Sequence, residues 1–385
     1  MTISMSPRDM LKTLVGFPTV SRDSNRALID FVVDYLAGHG IAATVVPNES
    51  GSKASLYATI GPMGEGGVVL SGHTDVVPVD GQVWTSDPFT LTEREGRLYG
   101  RGSSDMKGFI AIALALVPEM KAAGLKRPIH FALTHDEEIG CLGAPHLIAE
   151  MIEALPRPRA VIVGEPTSMQ VVTGHKGILV FETRVSGKSV HSSQIHRGVS
   201  ATMVAARLVT FLEDMMLEAA RAAPASSPFV PPYTTIHCGE IHGGTAHNIV
   251  ASDCYFVTDI RALPGEGAEA YLQRFQDHVR DVVEPQMRAI APDAGIAIHV
   301  EANVPAFAPE PGSEAEHLAR LLTGDNASHA VSYTTEAGQF QEAGYSVVVC
   351  GPGSIDQAHQ PDEFIEAAQL DAGTDFIRRL IGYLG

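Results

Sequence analysis

The segment Val68-Val69-Leu70-Ser71-Gly72-His73-Thr74-Asp75 sets the pattern for the fold and for its use. Two β-branched residues and a leucine read as a buried strand, and Ser71-Gly72 marks its end. A histidine and a carboxylate follow at once. The same order recurs elsewhere. Ile129 to Thr134 runs into Asp136-Glu137-Glu138, and Ala160 to Val163 runs into Gly164-Glu165-Pro166. Val347-Val348-Val349 runs into Gly351-Pro352-Gly353. Between these strands lies a helical pattern of Phe109, Ile110, Ala113, Leu116, Val117 and Met120. Strands alternating with helices predict an α/β sheet covered by helices. Such sheets bind ligands at the carboxyl ends of their strands, where loops converge.

The middle of the chain has another rhythm. Gly177 to Val185 is strand-like, and Val204, Leu208, Phe211, Leu212 and Met215 repeat at helical spacing. Strands around Thr234 to His237 and Tyr255 to Ala262 follow, then one helix over Glu269 to Ile290 and a strand near Ile296 to Val300. This β-α-β-β-α-β order is ferredoxin-like. The expected organisation is a domain at 175–305 inserted into one formed by 1–174 and 306–385.

The 385 residues carry a formal net charge of −18, with 45% hydrophobic and 19% charged residues. That composition is ordinary for a folded soluble chain. Nucleic acid is not an expected partner, because phosphate binding needs a basic footprint. Cys141, Cys238, Cys254 and Cys350 form no CxxC pair, so a thiolate metal site is not indicated. They read as buried thiols in a reducing compartment. The start, MTISMSPRDMLKTLVGF, lacks a signal-peptide core, and the longest apolar run, Phe109 to Val117, is too short to span a bilayer. A cytoplasmic protein with no membrane role is expected.

The chemistry-bearing residues follow the apolar strands. His73, Asp105, Glu138, Glu165 and His359 are imidazoles and carboxylates set among small and turn-forming residues. Nitrogen and oxygen donors of this kind suit zinc. Two histidines and three carboxylates fit two ions with one shared carboxylate. Ions about 3.5 to 4 Å apart can activate one water and polarise a carbonyl. Asp75, two residues beyond His73, is placed to accept the other ring N–H of that histidine. In the pair Glu137-Glu138, one carboxylate can face a metal while the other handles a proton.

The segments SGHTDVVPVDG, YGRGSSDMKG, DEEIG, GEPT and GPGSIDQAHQPDEF, in this order, resemble the motif series of the aminoacylase/glutamate carboxypeptidase family of zinc peptidases. The resemblance covers essentially the whole chain. It implies a zinc-exopeptidase-like α/β catalytic domain with an inserted ferredoxin-like dimerisation domain, acting as a homodimer. It also implies residue roles. His73 and Glu165 would bind one zinc, Glu138 and His359 the other, and Asp105 would bridge them. Glu137 would be the general base and Asp75 the partner of His73. His191, in GKSVHSS, resembles a histidine that reaches the partner subunit's site and donates to the oxyanion. Asn248, in GGTAHNIV, and Arg261, in TDIRALPG, match substrate-contacting positions, and Arg261 suits a bidentate grip on a carboxylate. Cobalt or manganese could replace zinc with such ligands.

Within the family, GEPT, the TTEAG segment at 334–338 and the last motif most resemble the acetylornithine deacetylase branch. The implied reaction is amide hydrolysis of a small N-acyl amino acid, namely N2-acetyl-L-ornithine, to acetate and ornithine, a step of arginine biosynthesis. The alternatives are succinyl-diaminopimelate desuccinylation, action on another N-acyl amino acid or a dipeptide, and a catalytically silent ligand-binding relative.

Overall fold

The computed structural model describes residues 4–385; residues 1–3, the start of the amino-terminal stretch read above, lie outside the described residues. The chain divides into two compact units. One holds the residues up to Thr173, with Pro309–His329 and Thr335–Gly385; the other holds Gly174–Ala308 and Ala330–Thr334. The short segment Ala330–Thr334 therefore groups with the inserted unit, although it lies beyond residue 305 in sequence.

In chain order the strands are β1 (Ala43–Pro47), β2 (Ala54–Ile60), β3 (Val68–His73), β4 (Thr92–Arg94), β5 (Arg97–Tyr99), β6 (Ile129–Thr134), β7 (Ala160–Pro166) and β8 (Val172–His175). They continue as β9 (Gly177–Ser186), β10 (Thr235–Gly243), β11 (Asp253–Ala262), β12 (Gly295–Val304), β13 (His329–Val331), β14 (Val347–Gly351) and β15 (Phe364–Glu366). The first unit is built on the run β1-β2-β6-β3-β7-β14 of the larger sheet. β3 is parallel to β6 and β7, and β14 is parallel to β7. β1 and β2 extend the sheet antiparallel.

The parallel strands are buried along their whole length, which explains their unbroken apolar runs. Fully burying a Val or Ile such as Ile162 or Val348 contributes about 1.5–3 kcal/mol before chain entropy is charged against it. The helix Lys107–Ala115 is likewise buried on every side, in keeping with its all-round apolar sequence. Gly164 is required where β7 passes this helix, because a Cβ there would come within 2.1 Å of the Phe109 ring. Register puts His73 opposite Thr134 and Ser71 opposite Val163, so the carboxyl ends of β3, β6 and β7 share one edge.

The second unit is an antiparallel sheet ordered β10-β11-β9-β12. Leu179, Phe181 and Val185 of β9 and Phe256 and Ile260 of β11 pack beneath Leu208 and Leu212 of the helix Ala201–Arg221 and Phe275 of the helix Ala268–His278. The connectivity is the ferredoxin-like order that the sequence pattern predicts. The helix expected over Glu269 to Ile290 runs from Ala268 to Arg288, with a π-turn at Val279–Val283 between its α-helical parts Ala268–His278 and Glu284–Arg288. Pro285 has no N–H to give to a regular α ladder, in keeping with that widening. Among the described residues no helix is long and apolar enough to cross a membrane.

Candidate active site

β3 ends on His73, whose side chain is 1% exposed. Its Nδ1 lies 3.0 Å from the carbonyl oxygen of Asp75 and 3.7 Å from that residue's carboxylate. The nearer acceptor is the main chain, where the sequence predicted the side chain. The Asp75 carboxylate is drawn to other donors: Ser21 Oγ at 2.7 Å and the amides of Glu137 and Glu138 at 3.2 and 3.3 Å. Asp75 therefore holds the turn that carries the glutamate pair as well as facing His73.

The other imidazole nitrogen of His73, Nε2, stands 2.9 Å from Asp105 Oδ1 and 3.5 Å from Glu165 Oε1. Glu165 comes from the end of β7. On the opposite side of Asp105, His359 Nε2 lies 3.4 Å from Oδ2 and 3.0 Å from Glu138 Oε2. Each oxygen of one aspartate thus faces one histidine, and each histidine faces one glutamate. Two ligands of a tetrahedral ion at about 2.0–2.2 Å stand about 3.3–3.6 Å apart, close to these contacts. Glu165 Oε1 is also a buried oxygen with no hydrogen-bond partner, an acceptor in want of a cation. Donor chemistry and geometry both fit divalent metal. Among the described residues the same volume yields two ligand groupings, His73 with Glu137 and Glu165, and His73 with Asp105 and Glu138.

Electrostatics point the same way. Burial pushes Glu137 and Glu165 well above the usual carboxylate range, and neighbouring carboxylates add to this against the pull of His73. Burial and then Asp105 push Glu138 up to about 7. His359 is pushed up to about 10 by its bonds to Asp105 and Glu138. His73 is raised too: burial alone would lower it, but Asp105, Glu165 and Glu137 outweigh that. Asp105 is held below its ordinary range, the two imidazoles overcoming burial. Four carboxylates, Asp105 and Glu165 buried and Glu137 and Glu138 partly buried, face two imidazoles and carry more negative charge than the pocket can keep unpaired. Protons relieve it in part, and divalent cations would relieve it further.

Further residues support this group without having been singled out by the sequence. Glu336 is buried and accepts from Ser71 Oγ at 2.5 Å and Thr134 Oγ1 at 2.9 Å, bracing β3 two residues before His73 and β6 at its last residue. Cys141 Sγ lies 3.5 Å from Glu137 Oε1. Glu363 accepts from Arg101 Nη1 at 2.7 Å. Arg101 and Glu363 stand in recognised motifs, yet nothing local to either shows the pairing, because they are 262 residues apart.

His191, Asn248 and Arg261 belong to the second unit. His191 is exposed, and its Nδ1 accepts from the Ser193 amide at 3.2 Å. An accepting Nδ1 places the neutral ring's proton on Nε2 and leaves that nitrogen a donor. Asn248 is joined to the same turn through its carbonyl, which accepts from the Ser192 amide at 3.0 Å. The Arg261 fork is engaged by Asp259, two residues back on β11, with Nε–Oδ1 and Nη2–Oδ2 distances of 2.9 and 3.0 Å.

Comparison with known proteins agrees with this chemistry. Residues 69–383 match the model of peptidase family M20/M25/M40. The acetylornithine deacetylase of Proteus mirabilis is 36% identical over 380 residues, covering 97% of this chain and 95% of the relative. That of Pasteurella multocida is 36% identical over 386 residues, covering 97% and 96%. Among solved structures, a tripeptidase of Staphylococcus aureus superposes with a TM-score of 0.76 at 17% identity, covering 99% of each chain. A metallo-carboxypeptidase of Sulfolobus solfataricus gives 0.75 at 18% identity, covering 98% of each. The chain belongs to peptidase family M20/M25/M40 and is a metal-dependent hydrolase.

Proposed function

We propose that this amidohydrolase cleaves N2-acetyl-L-ornithine to acetate and L-ornithine, with two zinc ions held by His73, Asp105, Glu138, Glu165 and His359. The observation that carries the metal centre is the division of Asp105: one carboxylate oxygen faces His73 and the other faces His359. The substrate rests on full-length identity of about 36% to proteins named acetylornithine deacetylase. Bound divalent ions would supply acidification of a water and polarisation of the acyl carbonyl.

The protein's own groups do the rest. Glu137 takes a proton from the attacking water as the new C–O bond forms. It returns that proton to the nitrogen as the C–N bond breaks, and the remaining hydroxyl proton of the new acid passes to the amine, so acetate and the ammonium form of the product leave. A carboxyl raised by burial is suited to carrying a proton in both directions. Asp75 holds the amide of Glu137 and so its orientation. His191, with Nε2 as donor, serves the oxyanion in the site of a second copy, which makes the active unit a homodimer. Asn248 and Arg261 orient the substrate carboxylate; Arg261 exchanges Asp259 for that carboxylate, a swap between like charges. The place of action is the cytoplasm.

The test is a substrate panel with purified zinc-loaded protein: N-acetyl-L-ornithine, succinyl-diaminopimelate and N-acetyl-L-methionine. The expected result is the highest kcat/KM on acetylornithine. A preference for the succinylated substrate would move the chain to that rival reaction. No hydrolysis of any member at full metal content would favour a silent binding protein. Sharing of His191 is checked by mixing a Glu137→Gln chain with a His191→Ala chain: verified mixed dimers should regain activity, and their failure to do so would exclude it.

A further inference from the structure

Glu363 is 1% exposed and stands outside the ligand set, yet it accepts four hydrogen bonds. Oε2 takes Arg101 Nη1 at 2.7 Å and the Gly102 amide at 3.0 Å. Oε1 takes the amides of Ser104 and Asp105 at 2.9 and 3.1 Å. The pairing of β15 with β5 seats it there: Phe364 lies opposite Tyr99, and the Gly100 amide donates to the Glu363 carbonyl at 2.9 Å. One carboxylate thus fastens the loop that carries Asp105.

The contact continues on the other side. Arg101 is also 1% exposed, and its Nη2 donates to Gln82 Oε1 at 2.6 Å. Gln82 Nε2 in turn donates to the carbonyl of His359 at 2.9 Å. His359 has φ +62°, a left-handed backbone that costs energy in any residue but glycine and needs its surroundings to hold it. A buried Arg–Glu pair contributes little to stability by itself, because desolvation consumes most of the attraction. This one fills both carboxylate oxygens of Glu363 and both terminal nitrogens of Arg101, with Arg101 Nε left without a partner, and the partners belong to two ligand loops.

We propose that the Glu363–Arg101 pair is a positioning latch that sets the spacing of Asp105 and His359, and so governs retention of the ion at the His359–Glu138 position. The inference rests on the two-ion reading above. The His73–Glu165 position also uses Asp105, but its own two ligands stand on β3 and β7.

The test is a zinc titration of metal-stripped Glu363→Gln beside the wild type, followed by calorimetry and by assay at rising zinc. An amide cannot accept on both sides, so one group of loop N–H donors is left facing an NH₂. The expected result is a loss of about 10- to 100-fold in affinity for the second ion, the range for groups that orient metal ligands. First-ion affinity should hold, KM should be unchanged, and kcat should recover in excess zinc. Equal weakening of both ions, unaltered binding, or activity that excess metal does not restore would each overturn the latch. Should Glu363→Gln not fold, Gln82→Ala decides: weaker second-ion binding supports the latch, and unchanged binding overturns it. Wild type that binds fewer than two ions fails the two-ion reading and the latch with it. Two ions in the wild type with an unchanged variant fail the latch alone.

Discussion

His73 and His359 present the same nitrogen to the same aspartate, but the molecule holds them by different means. His73 is the last residue of a wholly buried strand paired on both sides, and its side chain is 1% exposed. His359 sits in a loop at φ +62° with its side chain 52% exposed. Glu165 shares the strand setting of His73, since it is the penultimate residue of β7, whereas Glu138 lies in the turn after β6. One half of the centre is set by the sheet and the other by loops tied to one another. The difference teaches that a candidate metal site can be preorganised to different degrees on its two sides, and on the proposed two-ion reading it predicts unequal affinities for the two ions.

The strongest way to break the comparison is to remove what both halves share. Asp105→Ala should strip both ions and take acyl-amino-acid hydrolysis to background, read by metal analysis and assay. Retention of one ion at full affinity would show that Asp105 is not common to the two. Next in size, Glu137→Gln should keep both ions while kcat falls by about 10²- to 10⁴-fold, the usual scale for lost general acid–base help. Near-normal turnover would remove Glu137 as the base.

The asymmetry itself is probed by His359→Ala against His73→Ala. The first should lose one ion and leave the fold intact, because its side chain is half-exposed. The second should lose an ion and also thermal stability, because it empties a buried position at a strand end. Equal loss of Tm in both variants would contradict the comparison.

The smallest effect is a pH dependence of the metal-free chain. The Glu138 carboxyl is raised from 4.5 to about 7 by burial and by Asp105. A carboxyl raised in the folded state contributes stability that is complete below its unfolded value and is lost as pH rises through the folded one. Stability of the metal-free wild type relative to Glu138→Gln should therefore fall between pH 4.5 and about 7. Parallel melting curves for the two proteins across that window would rule out the shift.

The sequence carries the sheet-held half more openly than the loop-held half, for physical reasons. β3, β6 and β7 are buried on both faces, so they show as apolar runs, and the ligand-type residues stand at the carboxyl ends of β3 and β7 or in the turn after β6. The loop-held half depends on contacts distant in the chain. Glu363 meets Arg101 across 262 residues, Gln82 meets His359 across 277, and Glu336 meets Ser71 across 265. No local periodicity records such pairs. Asp75 shows a finer limit: proximity to His73 is visible in the spacing, but competition from Ser21 and two amides is not. In the inserted unit the alternation along β9 and β11 is plain, while the hold of Asp259 on Arg261 depends on side-chain torsions that no pattern encodes.

The measurement that bears most directly on the shared-aspartate centre is a calorimetric zinc titration of the metal-stripped wild-type chain, with hydrolysis of N-acetyl-L-ornithine assayed at each step. The account predicts two ions per chain, bound with distinct affinities, and turnover that depends on the added zinc. A single ion at saturation, or two ions with no hydrolysis, would contradict it.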